Sequence, residues 1–143
     1  MEIVGLLYVY RNKKTGDYLV QAMSERPDRL IVAYDAPITV PSADMTRRAA
    51  PWIITKLKEF STVPFEEGKV IEGSPSEFSR FSARHHSVGI TLYDDGTVEV
   101  QPFRRNSGGG YAGMPDKKIR MKSEEMEERV VDAILDRFAF LES

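Results

Sequence analysis

The chain has 143 residues, of which 41% are hydrophobic and 29% are charged, a length and composition typical of one globular domain and not of a disordered segment. Its 20 basic and 22 acidic side chains leave a net charge of −2, which gives no general attraction to nucleic acid or to an anionic membrane. Cysteine is absent, which excludes disulfides, thiolate metal ligands and cysteine nucleophiles. The N-terminal apolar run lacks the basic start of a signal peptide and is too short to cross a bilayer. We therefore expect a single cytoplasmic domain over residues 1–143.

Three β-prone stretches, residues 3–10, 18–23 and 30–34, open the chain. They are separated by short polar turns, one with Gly16 and one with Pro27. Because connections this short join antiparallel neighbours, the N-terminal part is predicted to be a three-stranded meander.

A helical segment follows Pro37 and Pro41 and runs to about residue 60. Either Ser42 or Asp44 caps it, in which case the helix kinks at Pro51, or it begins at Pro51, where proline is tolerated. Residues 61–74 are predicted to be a loop that carries the acidic pair Glu66 and Glu67. A short helix is expected to open at residues 74–77.

Strict alternation of apolar and polar residues over 88–92 and 98–101, around Asp94-Asp95-Gly96, predicts a β-hairpin with one buried face. Pro102 is expected to end its pairing. The glycine-rich stretch 107–110 matches neither a phosphate-binding loop nor a dinucleotide fingerprint and is predicted to be a mobile connector. Residues 118–121 are a candidate strand.

The C-terminal segment is predicted to be an amphipathic helix capped by Ser123. Its apolar residues recur at spacings of three and four: Met126, Val130, Ala133, Ile134, Phe138 and Leu141. The predicted fold class is α+β, a mostly antiparallel sheet made of the N-terminal meander and the later hairpin, with helices packed on it.

Few residues could carry catalysis. His85 and His86 are adjacent at the start of a strand, so their side chains are expected to point to opposite faces and not to share a metal. Asp94 and Asp95 are better explained as turn residues than as a catalytic carboxylate pair. We therefore predict a protein that is not an enzyme, with no catalytic residue, no metal, no cofactor and no small-molecule substrate. The histidines are interpreted as surface or interface residues.

Arg104, Arg105 and Tyr111 place cations beside an aromatic ring, next to Phe103. Such a group is able to hold single-stranded nucleic acid by stacking and phosphate contacts. It is equally suited to a protein interface, where Tyr and Arg are frequent anchors. The near-neutral charge of the chain favours the protein interface and makes nucleic acid the alternative.

The stretch from residue 76 to 141, a little under half of the chain, resembles the C-terminal part of the contact-dependent growth inhibition (CDI) immunity proteins of bacteria. The matching features, in chain order, are Phe78 and Phe81, the run Ser87-Val88-x-Ile90, the run Gly96-x-Val98-x-Val100-x-Pro102, the pair Arg104-Arg105, the turn Gly109-Gly110-Tyr111 and a closing amphipathic helix.

The resemblance implies an antitoxin that acts without catalysis in the cytosol of the producing cell. Such a protein binds the C-terminal toxin domain of a cell-surface effector, usually a nuclease, and blocks its active site or substrate surface. Two surfaces compete as the toxin-binding site. One is acidic, formed by the last helix or by Glu66 and Glu67, and the other is the group of His85, His86, Arg104, Arg105 and Tyr111.

Overall fold

The computed structural model describes residues 1–143 and has an α+β fold, as predicted. Eight strands form one sheet: β1 (Ile3–Asn12), β2 (Tyr18–Glu25), β3 (Ile31–Ala33), β4 (Ile38–Val40), β5 (His85–Tyr93), β6 (Thr97–Arg105), β7 (Tyr111–Gly113) and β8 (Ile119–Lys122). Three α-helices pack on the sheet: α1 (Ala50–Thr62), α2 (Pro75–Arg84) and α3 (Met126–Glu142). None of the helices combines the length and the apolar character needed to cross a bilayer.

The sheet is antiparallel, with the strand order β3-β2-β1-β5-β6-β7. The predicted meander is confirmed as β1, β2 and β3, and the predicted strand at 118–121 is confirmed as β8, which pairs with β6. The strands β4 and β7 were not predicted. Each has three residues, too few to show an alternating pattern, and each depends on a longer partner strand for its backbone hydrogen bonds.

The two faces of the sheet differ. The face that we call the inner face is covered by α1 and α3 and holds a cluster of 23 buried residues. Its centre is formed by alternate residues of β1, β5 and β6: Leu7, Val9, Val88, Ile90, Leu92, Val98 and Val100. We call the opposite face the outer face; α2 packs there, against β5.

The start of α1 decides between the two alternatives for Pro51. The helix begins at Ala50 and Pro51 lies in its first turn, where its missing N–H group would have no helical partner. Capping by Ser42 or Asp44 was a wrong prediction, since both residues lie in a separate 3₁₀ turn with no side-chain cap. The backbone N–H of Ser42 instead donates to the carboxylate of Asp17.

The predicted C-terminal helix is confirmed, and its six apolar residues are all buried. Its predicted cap is wrong. Ser123 is the first residue of a 3₁₀ turn that precedes α3, and its hydroxyl donates to Glu124. The backbone N–H of Lys122 instead donates to the carboxylate of Glu125, three residues further along the chain and 2.9 Å away. This hydrogen bond closes the turn.

The predicted hairpin is confirmed as β5 and β6, joined by Asp94-Asp95-Gly96. Only Gly96 has a positive φ, of 85°, while the carboxylate of Asp95 accepts from the N–H of Thr97. Pro102 does not end the pairing, which continues through Phe103. The carbonyl of Pro102 accepts from Met114 on the side away from β5. The missing N–H of Pro102 would point the same way, so the β5 ladder loses no bond.

Candidate protein-binding surface

The two histidines lie on opposite faces at the end of the sheet where β5 begins, as predicted. His85 is opposite Asn12 of β1 and His86 is opposite Arg11. Neighbouring residues of a strand alternate between faces. His85 therefore joins the outer face under α2, and His86 joins the rim of the inner face beside the end of α3.

His85 has a structural role on the outer face. It is 9% exposed, its Nδ1 lies 2.9 Å from the carbonyl oxygen of Phe81, and its ring stacks on the Phe81 ring with centroids 4.0 Å apart. Its own carbonyl accepts a hydrogen bond of 2.8 Å from the hydroxyl of Tyr111. His85 thus joins the last turn of α2 to β7.

Arg105 also serves the fold. Its Nε donates to the hydroxyl of Ser82 (2.9 Å), and one of its terminal nitrogens donates to the carbonyl of Ser79 (3.3 Å). The Ser82 hydroxyl donates in turn to the carbonyl of Gly109 at 2.5 Å. The guanidinium therefore links β6 to α2 and, through Ser82, to the β6–β7 turn.

The glycine-rich stretch is not a mobile connector, and that prediction was wrong. It is a tight turn in which the side-chain oxygen of Asn106 accepts from the N–H groups of Gly108 and Gly110. Gly109 is buried against α2 and has a φ of 86°. A Cβ atom there would lie 2.5 Å from the Ser79 hydroxyl, so the turn requires glycine for its conformation and for the close approach of α2.

Tyr111 completes an aromatic cluster under α2. Its ring centroid lies 6.0 Å from that of Tyr10 and 5.8 Å from that of Phe78, and Tyr10 packs edge-on against Phe81 at 4.9 Å. Burial raises the pKa of Tyr10 far above its usual value of 10.0, and the neighbouring Tyr111 and Tyr8 add to the rise. Burial likewise raises the pKa of Tyr111. Both phenols therefore stay neutral and act as packing groups.

Arg104 and His86 differ from these residues because they face the inner rim. Together with Lys13 and Lys14 of the β1–β2 turn they border two concavities of about 510 and 130 Å³. The two concavities share Lys13, His86 and Leu141, so they form one continuous depression. We call it the basic cleft and define it by Lys13, Lys14, His86 and Arg104.

One acidic residue, Glu142, borders the basic cleft. Its carboxylate is already paired with Arg11 at 2.9 Å. Partial burial lowers the pKa of His86, and Lys13, Arg11 and Arg104 lower it further, against an opposing effect of Glu142. The imidazole is thus neutral near pH 7 in a region of positive potential, and an anion bound there would favour its protonation.

Glu66 and Glu67 lie elsewhere. They follow α1 in a loop beside β3, the edge of the sheet opposite β7. The N–H of Glu66 donates to the hydroxyl of Tyr34 at 2.8 Å, and its carboxylate lies 3.6 Å from Lys69. The structure therefore does not bring this acidic pair together with the histidines or with Arg104.

The five predicted residues His85, His86, Arg104, Arg105 and Tyr111 all border the smaller concavity, at the end of the sheet. They differ in their bonds: Arg105 and Tyr111 donate to Ser82 and to the carbonyl of His85, whereas the Arg104 side chain makes no ion pair. Lys13 and Lys14 lie in the polar turn between β1 and β2 and were not predicted as site residues. The signal that could have identified them as site residues is a pair of adjacent lysines in a hairpin turn, with no acidic residue before Asp17.

No protein-family model matches the sequence, and none of the curated proteins matches it. Among solved structures, the fold is similar to that of the protein of unknown function NMB0488 from Neisseria meningitidis, with a TM-score of 0.68 and 10% sequence identity. The match covers 95% of this chain and 94% of the other. At this level of identity the similarity shows a shared fold.

Proposed function

We propose that this chain is a CDI immunity protein, which binds the C-terminal toxin domain of a cognate effector and neutralises it without catalysis. The toxin is of the nuclease type, and binding takes place in the cytoplasm of the producing cell. The proposal starts from the resemblance over residues 76–141. It gains support from the way in which that stretch is arranged in three dimensions.

The supporting observation is that this stretch forms one continuous unit. Strands β5 and β6 form its centre, α3 covers their inner face, and α2 is bonded to the outer face through Arg105 and His85. Arg104 remains exposed at the rim of the unit. A rigid unit with an exposed charged rim suits a partner that must be captured quickly and selectively.

Nucleic-acid binding is the alternative, and the geometry of the aromatic residues favours it less. Stacking of a base requires an open ring face beside phosphate-binding cations. The Tyr111 ring is packed between Tyr10 and Phe78, and the Arg105 guanidinium is bonded to Ser79 and Ser82. Arg104, Arg105 and Tyr111 border the same concavity, but Arg105 and Tyr111 are engaged within the fold and offer no open ring face to a base.

Co-expression tests the immunity function directly. The tagged protein is produced together with the C-terminal domain of the large protein encoded immediately upstream, and both growth and co-purification are measured. We expect a stable 1:1 complex and restored growth, with no rescue from a toxin domain of an unrelated CDI system. Absence of both complex and rescue would reject the immunity function. Binding of an oligonucleotide that weakens steeply with salt would then support the alternative.

A further inference from the structure

Several charged side chains near α3 are already paired within the molecule. On α3, Asp132 is paired with Arg47 and Asp136 with Arg137. Glu125, in the turn before α3, is paired with Arg129. These pairs reduce the negative charge that the last helix presents to a partner. The negative charge of α3 is thus partly neutralised from within, while Glu127 and Glu128 take part in no ion pair.

The end of the sheet at the basic cleft is different. Lys13, Lys14, Arg84 and Arg104 take part in none of the ten ion pairs of the molecule. They are held near one another by the backbone, since the N–H of Lys13 donates to the carbonyl of Arg84 at 2.9 Å. All four are exposed. Four exposed cations without ion-pair partners therefore lie close together at this end of the sheet.

Glu142 shows that a carboxylate binds at the border of the basic cleft. Its carboxylate, at the end of α3, bonds to the guanidinium of Arg11 at 2.9 and 3.3 Å on the border of the cleft. Beyond that one carboxylate, the cations of the cleft have no anionic partner. Additional carboxylates brought by a partner would meet Lys13, Lys14 and Arg104.

The aromatic rings near the cleft do not suit nucleobases. Phe103 and Tyr111 border its smaller part. Phe103 packs edge-on with Tyr8 at 5.5 Å, and Tyr111 packs with Tyr10 and Phe78. With these rings engaged in the fold, the cleft offers charge and hydrogen-bond donors without a stacking platform.

Building on the immunity function, we propose that the basic cleft is the surface that binds the toxin domain, and that it recognises a cluster of Asp and Glu side chains there. The toxin face is therefore acidic, and binding at the cleft favours the protonated form of His86. This chemistry distinguishes the cleft from the acidic surfaces of the chain, which would instead mimic nucleic-acid phosphates.

A first experiment uses the full chain and needs no toxin. A capped hexaglutamate peptide and a single-stranded oligo-dT of the same charge are titrated against the protein, with NMR detection of the His86 ring and the backbone amides. We expect the peptide to shift the amides of Lys13, Lys14 and Arg104 and to raise the pKa of His86. The double substitution Lys13→Gln/Arg104→Gln should weaken peptide binding about fivefold to tenfold, which is the scale of two exposed charge pairs.

The matched control for that titration is Lys58→Gln/Lys122→Gln, which removes two exposed cations that also lack ion-pair partners. It should leave peptide binding within about twofold, since neither lysine borders the cleft. Absence of shifts at the cleft, or equal weakening by the control, would overturn the inference. Tighter binding of the oligonucleotide than of the peptide would also overturn it, because the cleft would then be a phosphate site.

A second experiment uses the co-expression assay with charge reversal. Lys13→Glu/Arg104→Glu should abolish growth rescue, and Lys58→Glu/Lys122→Glu should retain it. Rescue by the reversed cleft would reject the cleft as the toxin-binding surface and leave the immunity function standing. Failure of the unsubstituted protein to rescue would reject the immunity function itself, whatever the peptide titration shows. Thermal unfolding of both variants confirms that each is folded.

Discussion

The two faces of the sheet are held by different kinds of interaction. The inner face packs against α1 and α3 through apolar side chains, and residues such as Ile53, Ile134 and Phe138 are completely excluded from solvent. The outer face holds α2 through ring contacts and directional hydrogen bonds that converge on Ser82. The inner interface therefore depends on filled volume, and the attachment of α2 depends on a few specific atoms.

The largest loss of stability is expected when a buried side chain of the inner face is removed. Phe138→Ala removes a buried ring that packs edge-on with Tyr18 at 5.5 Å. We expect a loss of about 3–5 kcal/mol in the free energy of unfolding, measured by urea denaturation. Phe78→Ala on α2 is the control, because that ring is 43% exposed, and its loss should stay below about 1.5 kcal/mol. Equal losses would mean that the two faces do not differ in the way described.

The turn that supports α2 is the next point to test. Gly109→Ala adds a Cβ within 2.5 Å of the Ser79 hydroxyl at a φ of 86°. We expect a loss of about 1–3 kcal/mol and faster amide exchange in α2 than in α3. Gly68→Ala is the matched control, since nothing lies within 4 Å of its added methyl group. A Gly109→Ala protein as stable as the control would show that the turn is free to move.

Arg104 and Arg105 allow the comparison to be made with adjacent residues. Arg105→Gln removes donors to Ser79 and Ser82 and should cost about 1–2 kcal/mol in unfolding free energy. Arg104→Gln should change it by less than about 0.5 kcal/mol, because the side chain is exposed and makes no hydrogen bond or ion pair. Thermal denaturation at matched pH measures both. A larger loss for Arg104→Gln would assign a structural role to the cleft.

The smallest expected effect is on the pH dependence of stability, through His86. The pKa of His86 is lowered in the folded protein, first by burial and then by Lys13, with Glu142 acting in the opposite direction. The unfolded chain therefore binds a proton at higher pH than the folded chain does. The stability associated with His86 is present above about pH 6.5 and is lost as the pH falls below that value. His86→Gln should lessen the loss of stability between pH 7.5 and 5.5, and an unchanged pH profile would contradict the assignment.

Much of the architecture was predictable because it depends on local patterns. The meander, the hairpin and α3 each repeat apolar residues at the period of a strand or a helix, and burial follows that period in the structure. Errors occurred where a partner elsewhere in the chain decides the outcome. Pro102 is tolerated because of the direction in which its missing N–H would point, and the glycine-rich turn is ordered because α2 lies against it.

The candidate site was predicted only in part. Arg104 and His86 were identified from the sequence and lie at one exposed rim. Arg105 and Tyr111 border the same concavity, but their polar groups are hydrogen-bonded within the fold, which the sequence did not indicate. Lys13 joins them through the pairing of β1 with β5, which connects residues more than 70 positions apart. A pairing at that sequence distance leaves no periodic signal in either segment.

The sequence by itself determined the fold class, the alternation that separates His85 from His86, and the places where the long helices and the hairpin lie. These follow from backbone geometry and from the burial of apolar side chains at fixed periods. Tertiary structure alone decided which cations form hydrogen bonds or ion pairs within the molecule and which remain unpaired at the basic cleft. The reason is that an ion pair or hydrogen bond depends on which atoms are brought within about 3 Å of each other, and strand pairing and helix packing set those distances.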